Sequence, residues 1–467
     1  MKKNIKKLFL AAGLLAITGA LLTGCGSKKK NAEEESVIKI STAPEPTATP
    51  DPKTVDPDAV TSNGNLTMVN EYLAENGSEA LGIDGVTPTP AASNGSTDNA
   101  DSDGEDTSSD EDNVHQVVVE RKEPWMENEA KKPLELYIHI PFCVKKCDYC
   151  DFLSGPAGKE RQREYFQALE REIAAVPDFS DREITTVFIG GGTPSVPDPS
   201  LVGEMLDQIR NKFFVAPDAE ITIEANPGTL YKEKLQIYLE HGINRLSLGL
   251  QSPQNRELKI LGRIHTWEEF QESFFMARDA GFSNINIDLM SAIPEQTYAD
   301  WEKNLRTVAG LSPEHISAYS LIIEEGTPFG ERKLKLPDED TEYRMYENTA
   351  GILEEYGFHQ YEISNYAKGG RECRHNKGYW QRIDYLGLGL GASSLLDHMR
   401  FSNTADMKEY IGNSAFPDKI RQNMESLTEA DEMAEFMFLG LRMTEGVSME
   451  AFAEYFGKIW KTFTERS

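Results

Sequence analysis

From residue 133 onward, short β-branched or apolar runs recur at residues 134–140, 185–189, 220–225, 245–250, 285–290 and 315–321. Segments of helical period separate them, at 161–176, 200–213, 232–241, 267–280 and 301–311. Six strands alternating with helices make an α/β fold with a parallel sheet, and this repeat predicts an incomplete (β/α)6 barrel of the TIM type. Sites in such sheets lie at the C-terminal ends of the strands. The segment directly after the first run is Pro141-Phe142-Cys143-Val144-Lys145-Lys146-Cys147-Asp148-Tyr149-Cys150, which holds three of the chain's five cysteines.

Three thiols this close leave one over if they pair as disulfides, whereas as thiolates they can converge on one soft metal centre. Tetrahedral zinc asks for a fourth ligand nearby, and the spacing C-x3-C-x2-C is followed by no further cysteine at once. A [4Fe-4S] cluster held by Cys143, Cys147 and Cys150 keeps one iron open to a substrate or cofactor. The plain alternative is three buried apolar cysteines beside a strand.

Other polar residues fall at successive strand ends. Gly190-Gly191-Gly192-Thr193-Pro194-Ser195 follows the second run, where missing side chains let a ligand approach backbone N–H groups. Glu224 and Asn226 follow the third, Gln251 the fourth, and Asp288 stands at the fifth. Each alone reads equally well as a tight turn or a satisfied rim group; their recurrence is what points to a site. Arg263 adds a fixed cation suited to a carboxylate.

A chain of 467 residues is expected to hold two or three units. The formal charge of −29 argues against a nucleic-acid-binding surface. Residues 1–25 read as an export signal: a basic start, an apolar run, then Leu22-Thr23-Gly24-Cys25, a lipobox that would lipidate Cys25 and anchor the chain to a membrane. An uncleaved transmembrane helix is the alternative, although the apolar stretch is short for a span. Residues 26–132 are acidic, rich in Pro, Ser and Thr and poor in large apolar residues, and read as a disordered linker. A labile cluster belongs in the reducing cytosol, which conflicts with export. Three accounts fit: a true tethered protein, a leader fused to a cytosolic enzyme, or an erroneous gene model; the unrelated look of the two pieces favours the second or third.

The motifs together resemble the radical S-adenosylmethionine (SAM) superfamily, and within it the group of oxygen-independent coproporphyrinogen oxidases and HemW-type haem chaperones. They are Tyr137-Ile138-His139-Ile140-Pro141-Phe142-Cys143, the three-cysteine run, GGGTPS, EANPG, SLGLQS, LGRIHT, NIDLM and HNKGYW. The resemblance implies that Cys143, Cys147 and Cys150 hold the cluster and that S-adenosylmethionine chelates its open iron. It also places Tyr137, Tyr149, Gly191, Gly192, Thr193, Glu224, Gln251, Arg263 and Asp288 at positions that contact S-adenosylmethionine. A reductant such as flavodoxin or ferredoxin is the implied electron donor.

Within the group, the oxidases carry a further cysteine two residues after the third; here that position is Phe152. His375-Asn376-Lys377-Gly378-Tyr379-Trp380 matches the chaperones' HNxxYW motif, which implies His375 as a haem ligand. Cys373 reads as a second thiolate ligand or an incidental buried thiol. Gly387-Leu388-Gly389-Leu390-Gly391-Ala392 reads as a tight loop lining the site. The expected organisation is a barrel over 133–369 and a smaller α/β or helical segment over 370–467 that binds haem and ends in a partial winged-helix-like domain. The expected function is a haem chaperone that binds the cluster, S-adenosylmethionine and haem and delivers haem to respiratory or other haem proteins. The alternatives are an oxygen-independent coproporphyrinogen III oxidase and a surface lipoprotein with an inactive barrel.

Overall fold

The computed structural model describes residues 131–457. The leader, Cys25 and nearly all of the acidic linker therefore lie outside the described residues, as do the last ten. Strands β1 (Lys132–Ile140), β2 (Arg182–Gly191), β3 (Val215–Ala225), β4 (Arg245–Gln251), β5 (Ile285–Ser291) and β6 (His315–Ser320) run parallel and in sequence order. Helices α1 (Lys159–Ala175), α2 (Pro199–Lys212), α3 (Lys232–Glu240), α4 (Asn255–Ile260), α5 (Trp267–Ala280) and α6 (Tyr298–Ala309) lie between or after them. The expected six-strand repeat is present; α4, a single short helix after β4, is an addition.

Local chemistry sets these boundaries. Thr266 and Glu269 close a capping box at the start of α5, and Gly281 ends that helix with φ 117°. Thr297 and Asp300 do the same for the start of α6, and Asp198 accepts from the Ser200 N–H ahead of Pro199 at the start of α2. All seven residues of β4 are buried, as expected of a parallel strand with matter on both faces.

After β6 come α7 (Glu339–Glu354), β7 (His359–Gln360), β8 (Asn365–Ala367), α8 (Arg374–Trp380), β9 (Tyr385–Leu388), β10 (Ser393–Leu396) and β11 (Met399–Asn403). Next are α9 (Met407–Asn413), α10 (Pro417–Ile420), β12 (Arg421–Ser426), α11 (Glu429–Gly440) and α12 (Met449–Phe456). Strand β9 pairs in parallel with β1 and leads out through β10, β11 and β12, while β8 and β7 extend the other side beyond β6. The result is one unclosed sheet of twelve strands among the described residues. The expected boundary at residue 370 falls inside it: residues 385–426 continue the sheet, because the free edge of β1 offers backbone groups that need partners. No helix among the described residues is long and apolar enough to cross a membrane.

One face of the sheet carries a continuous apolar core, in which Leu136, Ile138, Ile189, Ile223, Leu246 and Ile287 pack against the helices. The alternate residues face the other way and are largely polar. Near the strand starts Glu135, Thr186 and Glu220 stand side by side in register, and Asn286 lies opposite His315. Helix α8 enters this layer. The Arg374 and His375 N–H groups donate to Glu220 Oε2 and Oε1 at 3.2 and 3.3 Å. A Cβ at Gly378 would lie 2.0 Å from Glu135 Oε1, so the helix needs glycine there to approach β1. Gly378→Ala is expected to cost about 1–3 kcal/mol of stability in denaturant unfolding. An unchanged midpoint would mean that Glu135 swings aside freely.

Candidate functional site

The cysteine loop leaves the C-terminal end of β1 and is pinned by main-chain bonds to its surroundings. The Cys143 N–H donates to Gly155 O at 3.0 Å, the Asp148 N–H to Leu261 O at 3.1 Å and the Phe329 N–H to Asp148 O at 2.9 Å. Gly262, at φ 72°, lets the next loop close over Asp148, since a Cβ there would meet Asp148 Oδ1 at 2.6 Å. All three loop thiols are free and half-buried. Thr193 Oγ1 donates to Cys143 Sγ at 3.5 Å, and Arg263 Nη1 donates to Cys147 Sγ at 3.4 Å.

Burial pushes the Cys150 thiol up to about 11, with Cys147 and Cys143 adding to the rise. A thiol so placed becomes a thiolate when a metal cation takes the proton's place. Among the described residues no three His, Cys, Asp or Glu side chains close on a point that would hold a single metal ion. A [4Fe-4S] cluster binds its cysteines through separate iron atoms, so its ligands do not converge on one point. Three free thiols on one loop, two of them receiving hydrogen bonds, fit that donor set.

The glycine run after β2 packs directly against this loop. The Gly192 N–H donates to Ile140 O at 2.9 Å and the Thr193 N–H to Phe142 O at 2.7 Å. A Cβ on Gly192 would lie 2.8 Å from Phe142 O and 2.9 Å from Phe142 N, which are backbone atoms with little room to move. Gly192→Ala is therefore expected to displace the cysteine loop, read as a several-fold faster labelling of its thiols by a maleimide. Labelling at the wild-type rate would show that the loop accommodates the methyl group.

Two carboxylates stand at the adjoining strand ends. Glu224 Oε2 accepts from the Gly191 N–H at 3.1 Å, and burial together with Asp288 pushes its carboxyl up to about 8. Asp288 accepts from Asn286 Nδ2 at 2.8 Å and Ser247 Oγ at 3.5 Å, and its carboxyl is raised by burial. Tyr137 points into the same space beside Glu224, stacked on Phe188 with its hydroxyl 3.0 Å from His139 Nδ1. Gln251, at φ 71°, accepts from the Tyr319 hydroxyl at 3.3 Å. Tyr149 is half-buried, within electrostatic reach of Arg263, Cys147, Cys150 and Asp288. Arg263 is half-buried, and besides Cys147 it donates to Asn226 Oδ1 at 2.6 Å and to Gly249 O, while its Nε is without a partner. The expected site residues thus meet at one end of the sheet, with the exception of His375.

His375 lies near the opposite, N-terminal ends of the strands. Its ring is 1% exposed, stacked on Phe188 with centroids 5.2 Å apart. Nδ1 is 2.6 Å from Thr186 Oγ1 and Nε2 is 3.0 Å from the Tyr379 hydroxyl. Burial, then Arg245, lowers its pKa to about 3, so the imidazole is neutral. Both ring nitrogens are engaged, and this conformation offers none to iron. The reason is the short helix α8, which carries the HNKGYW residues into the polar layer instead of presenting them on a loop. Cys373 is fully buried beside Glu220, 3.5 Å from Oε1, with its thiol pushed up by burial, as an incidental buried thiol would be. The glycines after β9 pack beside the cysteine loop: a Cβ on Gly391 would lie 2.6 Å from Leu153 Cδ2.

His139, Asn226, which was noted only as a strand-end polar residue, and Tyr319 were given no role in the site by sequence reasoning. The first two lie inside quoted motifs, where alternation along β1 and the residue after β3 mark them as inward-facing. Tyr319, at the end of β6, looks like ordinary core.

Residues 137–308 match the model of the radical SAM superfamily and residues 427–465 that of the HemN C-terminal domain. A heme chaperone HemW from Bacillus subtilis is 40% identical over 328 residues, covering 69% of this chain and 86% of that protein. The Escherichia coli heme chaperone HemW is 37% identical over 327 residues, covering 70% and 86%. Among solved structures, the radical SAM enzyme coproporphyrinogen III oxidase of Escherichia coli superposes with a TM-score of 0.63 at 24% identity, covering 71% of this chain and 81% of that one, a likeness of fold. With relatives this similar spanned over most of their length, the chain belongs to the heme chaperone HemW family, on a radical SAM scaffold.

Proposed function

We propose that this protein is a haem chaperone that binds a [4Fe-4S] cluster, S-adenosylmethionine and haem and passes haem to haem proteins. The observation that carries this reading is the gathering of three free thiols with Arg263, Glu224 and Asp288 at one end of a sheet whose sequence matches haem chaperones over most of their length. Cys143, Cys147 and Cys150 would hold the cluster. Glu224 and Asp288, half-buried carboxyls, suit the ammonium and hydroxyl groups of S-adenosylmethionine, and the Gly191-Gly192-Thr193 turn lets it approach the backbone. When bound, the cluster and S-adenosylmethionine supply one-electron chemistry; the protein supplies position and exclusion of water. Phe152, 39% exposed, stands where the oxidases have cysteine and brings no thiol to the site. A flavodoxin or ferredoxin is the proposed electron donor. Free thiols suit the reducing cytosol, and a lipid anchor at Cys25 is the alternative placement of the leader.

The test is anaerobic reconstitution with iron and sulfide counting, followed by haem titration and transfer to an apo haem protein. A parallel incubation supplies coproporphyrinogen III, S-adenosylmethionine and reductant. Haem transfer without protoporphyrinogen formation is expected; stoichiometric protoporphyrinogen would overturn the chaperone reading in favour of the oxidase. Globomycin-sensitive labelling at Cys25 would place the protein at the membrane.

A further inference from the structure

Three side chains, Arg263, Asn226 and Thr193, link two of the three cysteine sulfurs in an unbroken line. Arg263 Nη2 donates to Asn226 Oδ1 at 2.6 Å, Asn226 Nδ2 donates to Thr193 Oγ1 at 2.8 Å, and Thr193 Oγ1 donates to Cys143 Sγ at 3.5 Å. The same guanidinium donates directly to Cys147 Sγ through Nη1 at 3.4 Å. The direction of every bond is fixed by chemistry. Arginine has no acceptor, so the Asn226 atom facing it is the oxygen, which turns the amide nitrogen toward Thr193. Thr193 then accepts from that nitrogen, and its own hydrogen is left for the sulfur.

The donors therefore all run from the cation to the thiol, the arrangement in which each bond polarises the next. The surroundings hold Asn226 in place. A Cβ at Gly249 would lie 2.7 Å from Asn226 Oδ1, so only glycine leaves that oxygen its space on β4. Ser195 Oγ lies 3.4 Å from the Asn226 N–H.

From this line of bonds we infer that Asn226 is a positioning residue for the cluster, carrying the polarisation of Arg263 through Thr193 to Cys143. One guanidinium thereby stabilises negative charge on two of the three cluster thiolates, Cys147 directly and Cys143 at a distance. Hydrogen bonds to cluster sulfurs raise the reduction potential by stabilising the more negative, reduced state. The inference rests on the proposed cluster and adds to it a residue outside the cysteine motif.

The test compares reconstituted wild-type, Asn226→Ala, Thr193→Val and Thr193→Ser proteins without S-adenosylmethionine, measuring iron content, the potential of the cluster and the electron paramagnetic resonance of its reduced form. Asn226→Ala is expected to retain its iron while its potential moves negative and its resonance changes. Thr193→Val, which removes the donor to the sulfur itself, is expected to shift the potential the same way by at least as much. Thr193→Ser, which keeps the hydroxyl, should restore the wild-type value. If Asn226→Ala fails to fold, the Thr193 pair decides alone. A loaded Asn226→Ala protein, or a loaded Thr193→Val protein, with wild-type potential and resonance would overturn the relay. Wild-type protein that takes up no cluster would overturn the cluster reading itself, and this inference with it.

Discussion

Cys147→Ala is expected to reduce the iron and sulfide retained after anaerobic reconstitution by more than about tenfold, since even outer-shell changes at metal sites cost that much. The loss has two parts. One of the three proposed protein ligands disappears, and the half-buried Arg263 Nη1 that faced its sulfur loses its partner there. Cys373→Ala serves as the contrast. Its sulfur sits fully buried beside Glu220, in the layer near the strand starts and away from the loop thiols, so iron content should stay at the wild-type level. Full iron in Cys147→Ala would remove the loop from the cluster. Lost iron in Cys373→Ala would mean that this buried thiol takes part after all.

His375→Ala is the second large effect, and it separates two roles. In the folded protein the imidazole joins Thr186 to Tyr379 and stacks on Phe188. Its removal leaves a cavity and two hydroxyls, the buried Thr186 and the half-buried Tyr379, each short of a partner, so stability should fall by about 2–4 kcal/mol in denaturant unfolding. If His375 is also the proposed haem ligand, α8 must leave the polar layer when haem binds, and the variant should lose the histidine-ligated Soret band. A Soret band that survives unchanged removes His375 from the haem, whatever happens to stability.

Acid gives an independent readout of the same side chain. Its folded pKa of about 3 lies below the unfolded value near 6.5, so the folded state holds it neutral. The stability it contributes is present above pH 6.5 and is lost as the pH falls toward 3, because the unfolded chain gains a proton that the folded one refuses. The stability gap between wild type and His375→Ala should therefore narrow over that window. A gap that stays constant would show that the imidazole is protonated in place.

The barrel was legible because each strand announces itself locally. Runs such as 245–250 and 285–290 are apolar or β-branched, and the long helix between them begins at a capping residue that is visible in sequence. What escaped was the continuation of the sheet after residue 384. Strand β9 reads as a glycine loop, yet Gly387 is glycine because Ser393 O packs 2.1 Å from where its Cβ would be. Its strand character comes from pairing with β1, more than 240 residues earlier in the chain, a contact that no local pattern encodes.

By itself the sequence determined which residues are the candidates for the chemistry. Cysteine spacing, glycine runs and polar residues at strand ends are local features with local causes, and they named the loop, the turn and the carboxylates. Only the tertiary structure decided how those groups face one another. It joined Arg263 to two sulfurs, Cys147 directly and Cys143 through Asn226 and Thr193, and it put His375 in a buried layer instead of beside the cysteines. Both outcomes depend on strands and loops that are far apart in the chain meeting in register. A hydrogen bond's reach of about 3 Å is settled by that packing and not by the identity of the residues.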